Sequence, residues 1–332
     1  GLDHDADFAD VMNIMLRSLN ASHMGYYPGG RGDRSAAGFL GLNVDPAYRG
    51  DGLRVASVVP HGPADLAEGG LEVGDVILAI DGVDVGGDVN LYAPIAARGG
   101  DPVWVSYERD GERNEVELRP ATAREIRQRI YEGDVKANRA RVEDLGDGRI
   151  GYVHIQGMGL PQVEIFERDL YAAASGKDAL IIDVRWNGGG WTTDQLLTIL
   201  TQPVHAYTVP RGGEVGYPDA ERLPRQRWNK PIAVICNENS YSNAEIFSHA
   251  IKTIGRGPVI GETTGGNVIS TGGWTTLDGG WVRLPFRGWY VWGDQADPAR
   301  NDRNQEHGGC IPDHPVPLGP PELLAGADPQ LE

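Results

Sequence analysis

SYSNAEIFSHAIKTIGRGPVIGETTGG, residues 240–266, carries the most specific structural pattern in this chain. The strand-like run PIAVIC comes just before it, and a tight bend carrying Ser240 and Ser242 opens it. An apolar, helix-like run follows and ends at Gly255, ahead of another strand-like run, GPVIGE. Strand, sharp turn and helix commonly present a nucleophile. Serine is also a favoured helix N-cap, and Glu245 three residues after Ser242 makes a capping box an alternative interpretation.

The composition of the chain excludes several classes of protein. Its 332 residues suggest two or three domains, and its formal net charge of −17 argues against binding to nucleic acid or to an anionic membrane surface. No apolar run approaches the ~18 residues that a membrane span needs. Two cysteines, Cys236 and Cys310, form no disulfide framework and favour a reducing compartment. The acidic start lacks the pattern of a signal peptide and is expected to be the cut edge of a longer protein.

Three zones follow one another along the chain, and together they predict an α/β protein. Residues 1–35 form a helical segment with apolar residues at helical spacing. Residues 36–119 alternate short β-type runs with turns, including a hairpin signal at RDGE, 109–112. Residues 120–332 alternate strand and helix patterns, which indicates an α/β layer architecture.

The β-rich zone resembles a PDZ domain. GFLGL, 38–42, looks like the carboxylate-binding loop of such domains, and residues 57–85 follow the PDZ pattern closely. PDZ domains add an extended peptide to a sheet edge and hold its terminal carboxylate with loop N–H groups. The alternative is a small β domain that acts only as a spacer.

Three further signals are each weak alone. DVRWNGGG, 183–190, ends a buried strand, and its glycines allow backbone N–H groups to approach an oxyanion or a phosphate. The Lys-Ser/Thr ending of a phosphate-binding P-loop is absent. NASHMGYY places Ser22 beside His23, and NQEHGGCIPD places Glu306 before a glycine turn. A lone histidine or glutamate is usually structural.

In this order, the motifs resemble the tail-specific (C-terminal processing) protease family, most closely its tricorn branch. The resemblance covers essentially the whole chain and implies a crotonase/ClpP-like α/β protease core. It makes Ser242 the nucleophile and Ser240 a weaker candidate. The lysine that other members carry after GE-x-T-x-G is replaced here by Asn267, and Lys252 lies on the helix instead.

The tricorn branch uses a histidine from the segment before the PDZ domain, a position that matches His23. The resemblance further implies that Ser22 and Glu306 orient this base, which completes a Ser-His-Ser-Glu tetrad. For the oxyanion hole we predict the N–H groups of Asn243 and Gly189, with Gly188 and Gly190 left open.

The resemblance also implies a cytoplasmic homo-oligomer that acts on peptides or unfolded polypeptides without a cofactor. In the tricorn branch β-propellers precede this region, and no propeller repeat occurs here. Acidic residues such as Glu214 or Asp219 would favour basic side chains in the substrate.

Several alternatives remain open. His307, Cys310 and His314 invite a zinc hypothesis, but their spacing is not that of a standard closed site, and we predict no metal. His249 is a rival base one turn after Glu245. The chain could also be a non-catalytic peptide-binding scaffold on the same fold.

Overall fold

The computed structural model describes residues 5–29, 37–86, 91–96, 100–203, 209, 211–213, 227–292 and 304–332. The chain divides into two compact units, one of residues 1–30 with 138–332 and the other of residues 31–137. The sequence predicts residues 1–35 as a segment of their own. The structure instead groups residues 1–30 with the C-terminal half.

The helices and strands are named in chain order. They are α1 (Asp5–Arg17), β1 (Gly25–Tyr27), β2 (Gly38–Phe39), β3 (Leu42–Val44), β4 (Leu53–Val58), α2 (Pro63–Leu66), β5 (Val76–Ile80), β6 (Val83–Asp84), β7 (Val103–Arg109), β8 (Glu112–Leu118), β9 (Ala121–Thr122), α3 (Ala123–Leu145), β10 (Ile150–His154), α4 (Leu160–Ala174), β11 (Ala179–Asp183), α5 (Thr193–Thr201), β12 (Ile232–Cys236), α6 (Asn243–Thr253), β13 (Val259–Gly261), β14 (Ser270–Thr275), β15 (Trp281–Arg287), β16 (His314–Pro315) and α7 (Pro320–Leu324).

The unit of residues 31–137 is built from short antiparallel strands. Its main sheet has the order β3-β4-β5-β7-β8 with β6 on β5, and β2 pairs with β9. On β7 the alternate residues Val103, Val105 and Tyr107 are buried, as expected of a sheet with one face on a core. The predicted hairpin is confirmed, because Arg109 pairs with Glu112 across the β7–β8 turn.

A parallel sheet forms the centre of the other unit and confirms the predicted α/β class. Its order is β10-β11-β12-β13-β16, and every pair in it is parallel. The runs ALIID and IAVIC are almost continuously apolar because helices α4, α5 and α6 supply core residues such as Phe166, Leu196 and Phe247 around the sheet. The glycine-rich stretch follows the carboxyl end of β11, and the serine turn follows that of β12, the edge where open α/β sheets bind ligands.

A second, antiparallel sheet brings the N-terminal segment to this unit. Its order is β1-β15-β14, and Gly25 of β1 pairs with Arg283 of β15. Tyr26 packs in a small core with Ala9 and Leu16 of α1. Ser22 and His23 directly precede β1, so this pairing carries them to the same region as β15.

Helix α3 is absent from the predicted elements. It runs for 23 residues, and Val142 is its only buried residue, so it lacks the apolar stripe that marks a helix in sequence. Among the described residues, no helix combines the length and the apolar character that crossing a membrane requires.

Candidate active site

Ser242 lies in a sharp turn between β12 and α6. Its backbone has φ 56° and ψ −115°, a region that residues other than glycine rarely occupy. Strain of this kind persists only where the surrounding structure enforces it, and it is typical of strand-to-helix turns that expose a nucleophile.

The buried carboxyl group of Glu245 holds this turn in place. Its Oε1 accepts the N–H of Ser242 at 3.0 Å and that of Asn267 at 2.8 Å. Its Oε2 accepts the hydroxyl of Thr264 at 2.6 Å and the N–H of Gly266 at 2.5 Å. Burial raises the pKa of Glu245, while these donors favour its charged form. Ser242 and Glu245 form a capping box, so the capping role is present in the same residue that we predict as nucleophile.

The glycine turn after β11 packs directly against Ser242. Gly189 has φ +84°, and a Cβ at this position would lie 2.6 Å from Cβ of Ser242 and 2.6 Å from the carbonyl oxygen of Tyr241. Only a residue without a side chain allows this approach. The N–H of Gly189 donates to Oδ1 of Asn187 at 2.8 Å, and its oxygen accepts the N–H of Met158 at 2.9 Å. The predicted oxyanion donor therefore has an acceptor inside its own turn.

Asn187 ties the glycine turn to the serine turn. It is fully buried, and its Nδ2 donates to the carbonyl of Ile155 at 2.6 Å. Its own carbonyl accepts the N–H of Tyr241 at 2.9 Å. One side chain and its backbone thus fix the position of Gly189 relative to Ser242.

His23, Ser22 and Glu306 form a continuous chain of hydrogen bonds. The hydroxyl of Ser22 lies 2.8 Å from Nδ1 of His23 and 3.0 Å from Oε2 of Glu306. Oε1 of Glu306 accepts the N–H of Ser22 at 2.8 Å. Oε2 also accepts the N–H groups of Val268 at 2.8 Å and Ile269 at 3.0 Å. Four donors therefore surround this carboxylate, which is 7% exposed.

The direction of these bonds sets the tautomer of His23. A carboxylate only accepts hydrogen bonds, so the hydroxyl of Ser22 donates its proton to Glu306. The oxygen of Ser22 is then an acceptor and receives the proton on Nδ1 of His23. Nε2 is left with a free lone pair, which is the form that a general base needs.

The surroundings of His23 disfavour its protonation. Its partial burial and the nearby charge of Arg283 lower its pKa to about 4, against an opposing effect of Glu306. The imidazole is therefore neutral at pH 7. The ring of Tyr241 packs against it with centroids 4.7 Å apart.

A cavity of about 300 Å³ joins His23 and Ser242. Its remaining wall residues are Gly190, Trp191, Thr193, Asp194, Asn243, Ile246, Val268, Ile269, Ser270, Thr271, Arg283, Phe286 and Trp289. The base and the nucleophile candidate, which are far apart in sequence, thus face one space of a size suited to part of a peptide.

The structure places the rival residues in structural roles. The hydroxyl of Ser240 is buried and donates to the carbonyl of Val184 at 2.8 Å. Nε2 of His249 is within 3.1 Å of the carbonyl of Gly309, and burial lowers the pKa of this histidine. Lys252 donates to the carbonyl of Ile311 at 2.8 Å and pairs with Asp313.

The described residues bear on the metal hypothesis but not on the specificity hypothesis. Within the described ranges, no group of three or more His, Cys, Asp or Glu residues could hold a metal ion, and this includes His307, Cys310 and His314. Cys310 is buried in the apolar core. Glu214 and Asp219, proposed to favour basic side chains, lie outside the described residues.

Sequence reasoning did not single out Asn187 or Arg283. Asn187 stands inside the DVRWNGGG stretch, in which only the glycines carry a recognisable signal. Arg283 is one basic residue in a β-type run, WVRLPFR, and carries no local signal.

Comparisons with known proteins match two parts of the chain to known families. Peptidase family S41 matches residues 149–313, and PDZ domain matches residues 38–119. Tricorn protease homolog 1 of Streptomyces coelicolor is 32% identical over 347 residues, which cover 99% of this chain and 30% of that protein. A carboxyl-terminal-processing protease of Picosynechococcus sp. is 27% identical over 87% of this chain and 66% of its own length.

A solved structure gives the same result. The crystal structure of the tricorn protease superimposes with a TM-score of 0.78 at 27% identity, over 98% of this chain and 31% of that one. The chain therefore spans less than a third of the length of the tricorn proteins that it resembles.

Proposed function

Because the chain belongs to peptidase family S41, we propose that it is a serine peptidase that cleaves peptide bonds through an acyl-enzyme at Ser242. The observation that carries this proposal is the hydrogen-bond chain from Glu306 through Ser22 to His23, together with the cavity that His23 shares with Ser242. A helix cap alone would not require a histidine from the far end of the sequence.

In the first step the hydroxyl oxygen of Ser242 attacks the carbonyl carbon of the scissile bond, and Nε2 of His23 takes the hydroxyl proton. The positive charge that develops on the imidazole is shared through Ser22 with Glu306, in the manner of a catalytic triad extended by one member. His23 then gives the proton to the leaving amine.

The oxyanion of the tetrahedral intermediate needs preorganised N–H donors. We propose the N–H of Asn243, at the start of α6, and one N–H of the glycine turn. Gly189 remains our predicted donor, and its N–H would have to exchange Asn187 for the oxyanion. Gly190 lines the cavity and is the alternative.

Water hydrolyses the acyl-enzyme by the reverse route. His23 takes a proton from water, the resulting hydroxide equivalent attacks the ester carbonyl, and the Ser242 oxygen leaves with the proton that His23 returns. The enzyme is regenerated with no net change in its own protonation.

We further propose peptides or unfolded polypeptides as substrates, which the PDZ-like unit would hold by an extended segment. We also propose a cytoplasmic location, because a reducing compartment keeps cysteines such as the buried Cys236 and Cys310 free. Cell fractionation would test this location. The proposal includes a homo-oligomer, because Val11, Ile14 and Met15 on α1 are each at least half exposed. Light scattering of the purified chain would test it.

The decisive experiment is reaction of the folded chain with a fluorophosphonate probe, followed by peptide mapping. We expect labelling at Ser242 in the wild-type protein, none in Ser242→Ala, and almost none in His23→Ala. His61→Ala is the matched control, because His61 is an exposed histidine of the other unit. Cleavage of a peptide library is measured in parallel.

The non-catalytic scaffold gives the opposite result. A well-folded wild-type chain that binds peptides but neither reacts with the probe nor cleaves them would support that alternative and remove the peptidase proposal. Normal labelling of His23→Ala would instead favour His249 as the general base.

A further inference from the structure

Arg283 is a cation in the cavity wall without a carboxylate partner among the described residues. It lies on β15, is partly buried, and donates from Nε to the hydroxyl of Thr271 at 2.6 Å. This bond fixes the guanidinium group while its two terminal nitrogens have no protein acceptor in the described part of the chain.

Several other arginines that are buried or partly buried have acceptors for their guanidinium groups, and Arg256 donates to three backbone carbonyls. Arg185 pairs with Asp183 and Asp328, and Arg109 pairs with Asp75. Removing a charge from water without such compensation is costly. An anchored guanidinium that faces an open cavity is therefore better explained as a binding group than as a structural one.

The acidic residues around the cavity do not fill this role. Glu306 already accepts from four donors. Asp194 lines the cavity, but it is exposed and forms no ion pair with Arg283. The fork of terminal nitrogens thus remains available, and its geometry matches the two oxygens of a carboxylate.

We propose that Arg283 binds a carboxylate of the substrate peptide next to the scissile bond. This inference rests on the proposed function. A cavity of about 300 Å³ is roughly 7 Å across, the length of about two extended residues. The carboxylate therefore belongs to a residue adjacent to the bond, either as an acidic side chain or as the free C-terminus of the peptide.

The overall negative charge of the protein works against a general preference for acidic peptides. A net charge of −17 repels acidic peptides in general, so non-specific electrostatics work against the proposed preference. A preference for acidic peptides must therefore come from a local site.

The experiment compares peptides in matched pairs. One arm replaces Glu by Gln at each position flanking the cleaved bond, and the other replaces a nearby free C-terminus by its amide. We expect the wild-type chain to cleave the carboxylate member of one arm with a kcat/KM about 10- to 100-fold higher, the value of a charge-assisted hydrogen-bond pair. The arm that responds identifies the source of the carboxylate.

Variants then assign the preference to Arg283. Arg283→Gln should bring the ratio of the responding pair close to one, and Arg283→Lys should keep part of it, because lysine retains the charge but loses the fork. Arg287→Gln is the control, since Arg287 lies on the same strand, carries the same charge and is not part of the cavity wall. The ratio is taken at pH 8 within each variant, so changes in the base His23 cancel.

Two results would overturn the inference: no pair preference in the wild-type chain, or a preference that survives in Arg283→Gln. Failure of the proposed function is recognised separately by absence of probe labelling at Ser242. In that case calorimetric binding of the same peptide pairs tests whether Arg283 binds the carboxylate. Discrimination that is lost in Arg283→Gln would support the carboxylate site, and equal binding of both members would exclude it.

Discussion

Glu306 accepts a hydrogen bond from the hydroxyl of Ser22 at 3.0 Å, although 284 positions separate the two residues in the chain. The same carboxylate accepts the backbone N–H of Ser22 at 2.8 Å. This two-point attachment fixes the segment that carries His23, whose own backbone is held at φ 64°. Glu306 therefore acts on the proposed base through Ser22, both by position and by the direction of the hydrogen bonds.

Glu306→Gln should lower kcat/KM by about 10- to 10³-fold. Glutamine has a similar shape, but its single oxygen cannot accept from four donors. Its NH₂ group would also face N–H or O–H groups that need an acceptor. The hydroxyl of Ser22 would then turn toward Nδ1 of His23 and move the ring proton to Nε2, the wrong tautomer. In a Ser-His-Asp triad the comparable change costs about 10⁴-fold, and an additional intervening hydroxyl softens the effect. Steady-state kinetics on one peptide measure it.

Glu115→Gln is the control for this variant. Glu115 accepts the hydroxyl of Ser106 at 3.1 Å on the surface of the other unit, so the substitution alters a similar Ser–Glu contact whose residues do not line the cavity. Its kcat/KM should equal that of the wild type. A Glu306→Gln enzyme that is fully active would show that Glu306 has only a structural role.

Gly189→Ala should abolish probe labelling of Ser242. The added Cβ would lie 2.6 Å from Cβ of Ser242, so the serine turn must move or the chain must lose stability. The positive φ of Gly189 adds roughly 1–2 kcal/mol of strain for an alanine.

Gly176→Ala separates these two causes. Gly176 has φ +72°, but nothing lies within 4 Å of the place that a Cβ would occupy, so this variant has backbone strain without a clash. We expect it to lose some stability in urea and to keep full labelling. Equal labelling of the two variants would mean that the close approach of Gly189 to Ser242 is not needed.

Most residues of the candidate site could be proposed from the sequence because they stand in short stretches that can be recognised. Ser242 is in a strand–turn–helix pattern, and buried parallel strands such as IAVIC read as continuous apolar runs. Ser22, His23 and Glu306 came from the family resemblance. No local signal links them, since the β1–β15 pairing that brings the segment of His23 to this sheet is a long-range contact.

Other features could not be predicted for physical reasons. Helix α3 is polar on nearly all sides, so no hydrophobic period marks it. The environment of Arg283 depends on β15 lying beside the cavity, and a single arginine in a strand pattern does not reveal that. The roles of Asn187 depend on hydrogen bonds with Ile155, which follows β10, and with Gly189 of its own turn.

The acid limb of the pH–rate profile should lie well below pH 6.5. The base must be neutral to accept a proton, so kcat/KM falls as the pH drops through the pKa of His23, which is about 4 in the folded protein. Arg283 is one cause of this lowering. Its replacement in Arg283→Gln should raise the pKa of His23 and move the acid limb to higher pH. Profiles of kcat/KM from about pH 3.5 to pH 8 would show the shift.

Arg287→Gln should leave the limb in place, because Arg287 is exposed and does not contribute to the environment of His23. Tryptophan fluorescence at each pH distinguishes loss of activity from acid unfolding. An acid limb near pH 6.5 in the wild type, or an unmoved limb in Arg283→Gln, would contradict this electrostatic account.

Arg185 and Asp328 offer a test of how the C-terminal residues support the strand that leads into the glycine turn. Nη1 of Arg185 lies 3.0 and 2.9 Å from the two carboxylate oxygens of Asp328 and 2.9 Å from Oε1 of Gln330, while Nη2 donates to the buried Asp183 at 2.6 Å. Arg185→Met would leave the carboxylate of Asp183 buried without its cation, which costs about 3–5 kcal/mol.

Asp328→Asn should cost much less, about 1–2 kcal/mol, because Arg185 keeps its bonds to Asp183 and the amide oxygen can still accept one hydrogen bond. Urea unfolding of both variants measures the difference. The Arg109–Asp75 ion pair of the other unit is unchanged in both variants, so unfolding of that unit is the internal reference. Since Arg185 stands four residues before Gly189, we also expect Arg185→Met to label more slowly at Ser242 under conditions where it is still folded. Equal stability losses in the two variants would mean that the ion pair with Asp328, rather than the buried charge of Asp183, dominates this network.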